Sequence, residues 1–330
     1  MKIYFFTLAG PVKSPGKPHV KNRFPEKRMN LNFSPVTLAS LPVLRAFLPS
    51  GGTGDCYLSP AALVSLAEAQ QTSIAVEDDV LFIKWRPRPV MPEVFCWPIG
   101  RAADARLIEE FEDYLLSSGR EVLLYGDIER ITGELGAILP YRNFSLHSTN
   151  AWWDYLYSRQ TIAELSGRPL HRKRNFVRRF YAAHPSASIR PLAAACQAEC
   201  LSFLDKWLAG REPSASLTAE KQAIEFAFAH FDELGLQGAI LSEGDTIYGF
   251  TFGALCAPGV FAIHIEKADK ECVGAYPALT SGFAALLPES VTTLNREEDI
   301  GISGLRKAKQ DWNPQRMLQK GYVRLMPGEY

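Results

Sequence analysis

The chain has 330 residues, of which 47% are hydrophobic and 22% charged, and its 36 Lys/Arg balance 36 Asp/Glu. These values are ordinary for a globular enzyme, and no run of about 18 apolar residues is present that could span a bilayer. The length exceeds the common size of a single hydrophobic core, so two domains are expected.

Residues 1–28 differ from the rest of the chain. They contain seven Lys/Arg, one acid (Glu26) and four prolines, without a helical or strand period. Such a segment is too polar to build a core, so we predict a disordered leader or an over-extended gene start, with Met29 as the more natural beginning. Residues 2–9 only faintly resemble a signal peptide.

The six cysteines are scattered and include no CxxC pair. This favours reduced thiols and a cytoplasmic location. Cys196 and Cys200 are four residues apart, but two further ligands for zinc are missing, so we interpret them as a buried helix face. No metal site is predicted.

The predicted elements follow one another in two similar series. The first series comprises helix 59–69, strands 72–76, 80–85 and 94–97, helix 104–118 and strand 122–125. The second comprises helices 192–208 and 219–234, strands starting at 239, 246 and 260, helix 275–287, strand 291–294 and helix 302–312. Paired hairpin strands followed by strand, turn, helix and strand resemble an acyl-CoA N-acyltransferase (GNAT) domain.

The fold class is therefore predicted as α/β (α+β), with two GNAT-like domains whose mixed sheets are flanked by helices. The predicted domains are residues 29–165 and 191–330, and the second carries the site. Between them, residues 166–190 are predicted to form a basic linker helix. Residues 165–198 contain no acid and seven Lys/Arg. A solvated basic face explains this pattern, and so does a helix that binds the phosphates of an anionic polymer or headgroup.

Four segments resemble the phosphatidylglycerol lysyltransferase C-terminal-domain family, which includes freestanding bacterial proteins of this size. They are residues 153–157 (Trp-Asp-Tyr-Leu-Tyr), 167–175, 264–269 with 274–276, and 295–309. The resemblance covers residues 30–326. It implies two GNAT-like domains, a basic connecting helix, and transfer of an aminoacyl group from aminoacyl-tRNA to a lipid or another acceptor. The chain lacks the membrane domain to which the lipid-modifying members are fused.

Ionisable residues follow two neighbouring predicted strands and could converge on one crevice, where open α/β sheets bind ligands. Acyl transfer needs a base for the proton of the nucleophile, and carboxylates at strand ends can serve. The predicted catalytic residues are Glu266, Asp269 and Asp299. A structural salt bridge from Glu266 to Lys267 or Arg306, and a helix N-cap role for Asp299, are the alternatives.

The remaining predicted site residues bind the donor or the acceptor. Those predicted to bind substrate are Lys267, Gly274, Tyr276, Asn295, Glu297, Arg306 and Lys309. Those predicted to bind phosphate or tRNA are Arg172, Lys173, Arg174, Asn175 and Arg178. The partners expected from this set are tRNA and an anionic lipid headgroup at a membrane surface.

Two departures weaken acetyl-CoA chemistry. The segment in the position of the GNAT pyrophosphate loop begins with Glu271 and ends with Tyr276, although Gly274 and the following helix could still hold a phosphate. Met317 stands where many acetyltransferases have a tyrosine acid. We predict an aminoacyltransferase that uses aminoacyl-tRNA as co-substrate and holds no tightly bound cofactor. An acyl-CoA-dependent N-acetyltransferase and a non-catalytic binding protein are the alternatives.

Overall fold

The structure, a computed structural model, describes residues 29–51, 53–86, 93–141, 143–209 and 211–326. The predicted leader 1–28 lies outside these residues. Within them, the chain forms two mixed sheets flanked by helices, which confirms the predicted α/β class.

The first sheet has the strand order β1-β2-β3-β4-β6-β15-β7, and β5 pairs with β3. Its strands are β1 (Ser34–Pro35), β2 (Ser73–Glu77), β3 (Val80–Trp85), β4 (Val94–Cys96), β5 (Ile99–Gly100), β6 (Leu123–Asp127), β7 (Phe144–Ser148) and β15 (Lys320–Leu325). Strands β4 and β6 are parallel, and the other pairs are antiparallel.

The second sheet has the order β14-β8-β13-β12-β11-β10-β9. Its strands are β8 (Asp154–Ser158), β9 (Ser188–Pro191), β10 (Gln237–Glu243), β11 (Thr246–Ala257), β12 (Val260–Ala268), β13 (Thr293–Asn295) and β14 (Arg316–Leu318). Only β12 and β13 pair in parallel here.

Helices cover both sheets. They are α1 (Leu41–Gly51), α2 (Pro60–Ser65), α3 (Ala67–Gln70), α4 (Ala105–Ser117), α5 (Ile128–Ile138), α6 (Arg159–Glu164), α7 (His171–Ala183), α8 (Gln197–Ala209), α9 (Ala215–Ala229), α10 (Ala275–Leu286) and α11 (Ser303–Gln310). The sequence pattern explains α4 well: Leu107, Phe111 and Leu115 recur every four residues and are buried, and Asp104 caps the helix by accepting from the Leu107 amide at 2.7 Å.

Each sheet receives a strand from the other half of the chain. Strand β15, near the C-terminus, lies between β6 and β7 of the first sheet. Strand β8, which precedes residue 165, lies between β13 and β14 of the second. The boundaries predicted at 165 and 191 therefore do not match the division of strands between sheets, and the two-domain division stays a prediction.

The two sheets also share apolar packing. One buried cluster contains Leu81 and Tyr322 of the first sheet together with Ile240 and Phe252 of the second. Aromatic rings contribute to this packing, since the rings of Trp152 and Tyr322 lie 5.7 Å apart between centroids. In the described part of the chain, no helix is both long and apolar enough to cross a bilayer.

Candidate functional site

A cleft opens where β12 and β13 separate. The two strands pair only through residues 260–262 and 293–295, while β12 continues to Ala268. A register shift against β11 at Phe252 and Gly253 skips His264 and bends β12 further. The divergence leaves a cavity of about 500 Å³ among β12, the loop after β13, α10 and α11.

Charged side chains line much of this cleft. The acids are Glu266, Glu297 and Glu298, and the cations are Lys173, Arg211, Lys267, Lys270, Arg296 and Lys309. The structure thus brings six of the predicted site residues to one cavity: Lys173, Glu266, Lys267, Tyr276, Glu297 and Lys309. The other predicted residues are absent from its described lining: Asp269, Gly274, Asn295, Asp299, Arg306, Arg172, Arg174, Asn175 and Arg178.

Glu266 forms an ion pair with Arg296, with 2.7 Å between Oε1 and Nη2. The partner is therefore neither Lys267 nor Arg306. Glu266 Oε2 and Arg296 Nη1 are buried and have no hydrogen-bond partner within the described residues. Because buried polar atoms are costly when unpaired, a side-chain rotation that turns these two atoms to the cleft would be stabilised by partners from a ligand or water. The pair offers one anionic acceptor and one cationic donor.

Aromatic rings hold the cations of this wall. The Arg296 guanidinium lies 5.1 Å from the ring centroid of Trp312 and 5.8 Å from that of Tyr157. Lys173 of α7 reaches the same Trp312 ring at 4.9 Å. Burial lowers the pKa of Lys173. These contacts place a residue of the basic helix at the cleft.

Lys267 forms an ion pair within the opposite wall of the cleft. Its ammonium donates to Glu220 at 2.9 Å and lies 4.2 Å from the ring centroid of Trp207, and both charged side chains are buried. This ion pair stabilises the wall and leaves Tyr276 as the better candidate to touch a ligand. Burial raises the pKa of Tyr276, so its hydroxyl stays protonated at neutral pH.

The loop after β13 is folded around Lys309. The ammonium of Lys309 donates to three successive carbonyl oxygens, those of Arg296, Glu297 (2.9 Å) and Glu298 (2.6 Å). Glu297 has a φ of 61°, which is strained for a residue with a side chain. Lys309 therefore stabilises a strained turn that presents Glu297 and Glu298 to the cleft.

Asp299 and Arg306 bind each other behind this turn. Arg306 donates to both carboxylate oxygens of Asp299 at 2.8 and 2.9 Å, and Tyr155 donates to Asp299 at 2.6 Å. Helix α11 begins at Ser303, so the alternative in which Asp299 caps it is wrong; Asp299 instead accepts from the Gly301 amide. Its carboxylate is fully buried, which separates it from the cleft.

Asn295 joins a buried polar cluster between the two sheets. Its amide donates to Asp154 at 2.7 Å, and Lys320 of β15 lies 2.7 Å from Asp154, 3.2 Å from Glu298 and 3.6 Å from Asp55. Ligand atoms of Asp55, Cys56 and Asp154 lie within 4.8 Å of one another, as in a metal site. The ammonium of Lys320 already supplies the positive charge at this position.

This cluster sets the ionisation of Glu298. Burial would raise its pKa, but the Lys320 ammonium and the Tyr57 hydroxyl stabilise the carboxylate and lower the pKa from 4.5 to about 2. The ionised group therefore stabilises the fold above pH 4.5, and this contribution is lost as the pH falls towards 2.

Between pH 4.5 and 2, the free energy of unfolding of the wild type should fall by about 3 kcal/mol more than that of Glu298→Gln. Urea denaturation at stepped pH measures it, with the exposed Glu289→Gln as the matched control. A variant whose pH dependence equals that of the wild type would contradict the assignment.

His264 connects the first half of the chain to the cleft. Its Nε2 lies 3.0 Å from the Ser59 hydroxyl, and its Nδ1 lies 3.0 Å from Glu297 Oε1. The Glu297 carboxylate can only accept, so Nδ1 carries a hydrogen, and in that tautomer Nε2 accepts from the Ser59 hydroxyl, whose oxygen also accepts from the Ala62 amide. His264 then donates from Nδ1 and orients Glu297, whose side chain is 17% exposed.

Asp269 and Gly274 shape the loop between β12 and α10. Asp269 accepts from the Glu271 amide at 2.9 Å. Gly274 has a φ of 95°, and a Cβ there would overlap the carbonyl oxygen of Phe176 in α7. The position at which GNAT enzymes bind pyrophosphate is thus packed against α7, and Pro277, at the third residue of α10, has no N–H to donate.

Gly274→Ala is expected to lower the free energy of unfolding by about 2 kcal/mol or more, because it combines the left-handed backbone with the Phe176 overlap. Chemical denaturation measures the change. Gly304→Ala is the control, since nothing lies within 4 Å of a Cβ at that helical position; it should raise stability slightly. Equal effects of the two substitutions would refute the packing argument.

The basic helix α7 turns most of its cations outward. Arg172, Asn175 and Arg178 are exposed. Arg174 instead donates to the carbonyl oxygens of Leu165 and Gly167, at the latter over 2.8 Å, and so anchors the end of α6. The phosphate contact of the three exposed residues stays a prediction. Arg174 instead stabilises the fold through its hydrogen bonds to the backbone.

Sequence reasoning missed His264, Arg296, Glu298, Ser59 and Lys320 as site residues. His264, Arg296 and Glu298 lie within the segments 264–269 and 295–309 that resemble the family. Nothing in the sequence distinguished these three from the other polar residues of the same segments. Ser59 and Lys320 lie more than 200 and 20 residues from their partners His264 and Glu298, and no local pattern marks either contact.

With this geometry in hand, comparisons with known proteins give consistent matches. The model of a family described as phosphatidylglycerol lysyltransferase, C-terminal, matches residues 53–323. No curated protein matches the chain. A conserved protein of unknown function from Bacteroides thetaiotaomicron is 31% identical, with a TM-score of 0.84, over 90% of this chain and 100% of that one.

Two further solved structures share the fold at low identity. L-PGS from Bacillus licheniformis is 15% identical with a TM-score of 0.60, over 88% of this chain and 92% of that one. FemX is 9% identical with a TM-score of 0.55, over 89% and 97% of the two chains. These likenesses show a shared fold.

Proposed function

Because this chain belongs to the phosphatidylglycerol lysyltransferase C-terminal family, we propose that it transfers an aminoacyl group from aminoacyl-tRNA to an amine or hydroxyl of a lipid, peptide or small-molecule acceptor. Family and fold point to a transferase. The observation that carries the finer proposal is the Glu266–Arg296 pair, which lines the cleft and retains a buried, unpaired carboxylate oxygen and a buried, unpaired guanidinium nitrogen.

The pair matches the polar groups of an aminoacyl ester. When the donor enters and both side chains turn to it, Glu266 Oε2 can accept from the α-ammonium group, and Arg296 Nη1 can donate to the ester carbonyl oxygen, where negative charge develops during acyl transfer. The low exposure of both side chains, 11% and 13%, strengthens these interactions by excluding water. Glu266 is thus assigned to donor binding.

Glu297 is the proposed base. It lines the cleft, and His264 holds one of its carboxylate oxygens. Glu297 takes the proton of the acceptor amine or hydroxyl as that atom bonds to the carbonyl carbon. The ester bond to the tRNA ribose then breaks, and the ribose oxygen takes up the proton. Asp269 and Asp299, with their carboxylates bound elsewhere, are not assigned a chemical step.

The alternative donor, acyl-CoA, is disfavoured by the same loop. A pyrophosphate needs several free amides at a helix start. Here Phe176 packs on Gly274, Pro277 lacks an N–H, and the acid Glu271 adds like charge. The non-catalytic alternative differs from the proposal only in turnover.

The deciding experiment incubates the protein with radiolabelled aminoacyl-tRNA and, separately, acetyl-CoA, with anionic phospholipid vesicles or amine acceptors present. Protein-dependent movement of the label from tRNA into an acceptor is the expected result. Label taken only from acetyl-CoA would replace the proposal by an acetyltransferase. Binding of aminoacyl-tRNA without any release of label would identify a binding protein.

The exposed face of α7 is the proposed tRNA contact. Arg172→Ala and Arg178→Ala should each weaken tRNA binding and reduce the slope of log K against log salt by about 0.7 to 0.9, as expected for the loss of one phosphate contact. Filter binding at several salt concentrations measures both. Arg316→Ala, an exposed arginine of β14, is the matched control; equal slopes in all variants would exclude this face.

A further inference from the structure

A second set of reactive side chains surrounds Cys272, outside the described lining of the cleft. The Cys272 sulfur lies 3.4 Å from His184 Nε2. The other five cysteines are buried, whereas Cys272 is partly exposed. The side chains of His184 and Glu243 are 26% and 27% exposed, so solvent reaches the group.

The surroundings of His184 determine which of its nitrogens carries the hydrogen. Tyr248 OH lies 2.8 Å from His184 Nδ1 and donates to Glu243 Oε2 at 3.2 Å. Since the tyrosine hydrogen goes to the carboxylate, its oxygen accepts from Nδ1–H, and Nε2 is left with a lone pair facing the sulfur. Phe180 packs against the imidazole, and the Ser186 amide holds the second oxygen of Glu243.

This order of groups suits a nucleophile better than a metal. Sulfur, imidazole and carboxylate lie in a row, with His184 in the middle. Among the described residues, the one cluster compact enough for three ligands is Asp55, Cys56 and Asp154. A thiol next to the acceptor nitrogen of a histidine, which is itself oriented by an acid, is the arrangement of an activated nucleophile.

We propose that Cys272 is a reactive thiol that His184 activates for exchange with low-molecular-weight disulfides. The Cys272 proton passes to His184 Nε2 as the sulfur attacks one sulfur of the disulfide. A mixed disulfide forms, the original S–S bond breaks, and the departing thiolate takes the proton from His184. Burial and the Asp269 carboxylate raise the pKa of Cys272, so the resting group is a thiol and depends on the base.

The position of Cys272 links this modification to the cleft. Cys272 lies between Lys270 and Tyr276, which both line the cavity, and its carbonyl accepts the Ala275 amide at the start of α10. A group attached to the sulfur therefore alters the loop that carries both residues. Asp269 acts on the thiol, Glu243 lies beyond His184, and Glu271 precedes Cys272 in the chain, so these acids favour a cationic disulfide over an anionic one.

The experiment treats the native protein with cystamine and follows the intact mass and the modified peptide. We expect one cysteamine on Cys272, none on Cys272→Ser, and a rate about tenfold lower in His184→Gln, since loss of a general base costs at least this much. His230→Gln is the matched control, because the Nδ1 atoms of His184 and His230 each lie 3.3 Å from a glutamate oxygen, and His230 has no described contact with a cysteine.

The wild-type rate also tests the proposal without any variant. Because the pKa of Cys272 is raised, this thiol without assistance would react with cystamine more slowly than free cysteine at neutral pH, whereas with His184 as base it should react at least as fast. A wild-type rate below that of free cysteine, an unchanged rate in His184→Gln, or modification at another cysteine would overturn the proposal. None of these readouts depends on aminoacyl transfer, so they separate its failure from that of the proposed function.

Discussion

Glu266→Gln is expected to lower the rate of aminoacyl transfer by about 10²-fold or more. Glutamine keeps the shape of the side chain but not its charge, so the α-ammonium group of the donor loses its counterion at a side chain that is only 11% exposed. Hydrogen bonds to charged groups contribute about twice as much as neutral ones, and in a buried site the difference is larger. The rate is measured under single-turnover conditions with subsaturating aminoacyl-tRNA, so that the loss of donor binding is included.

A surface control and a second variant of the ion pair separate this effect from damage to the fold. Glu289→Gln makes the same chemical change on the surface and should transfer at the wild-type rate. Arg296→Lys retains the positive charge but loses the planar donor geometry, so it should also reduce transfer. Full activity of Glu266→Gln with a normal melting temperature would place the donor site elsewhere in the chain.

Lys320→Met is expected to lower the free energy of unfolding by about 3 to 5 kcal/mol, because it leaves buried carboxylates without their cation. Lys320 is 1% exposed and lies within 3.6 Å of Asp55, Asp154 and Glu298. Methionine matches the length of the side chain, so little volume is lost. Chemical denaturation measures the change, and Lys307→Met on the exposed face of α11 is the matched control.

A double substitution tests the cause of the Lys320 effect. Adding Asp154→Asn to Lys320→Met removes one of the uncompensated charges and should recover part of the lost stability, which gives a non-additive cycle for groups in contact. Strictly additive losses would mean that Lys320 stabilises the fold by packing alone. Because Glu298 lines the cleft, the same ammonium also positions one wall of the site.

Local patterns predicted much of the secondary structure. The predicted strand 80–85 coincides with β3, and the predicted helix 275–287 differs from α10 by one residue. The alternation of apolar residues and the presence of capping side chains are both visible within a few neighbouring residues. Predictions from these signals therefore need no tertiary information. Strands β8, β14 and β15 were missed, because short strands at sheet junctions take their partners from distant parts of the chain.

The sequence by itself determined the class of the fold, the family, and the two segments that meet at the cleft. It could not determine which charged residues in those segments face a ligand. A carboxylate with several cations nearby in the sequence could form an ion pair with any of them. Only the tertiary structure decided that Arg296, rather than Lys267 or Arg306, pairs with Glu266, and that Lys309 and Arg306 hold the loop. The physical reason is that a buried charged group pairs with the group that the fold brings within hydrogen-bond distance. The separation of two residues along the chain does not predict their distance in the folded protein.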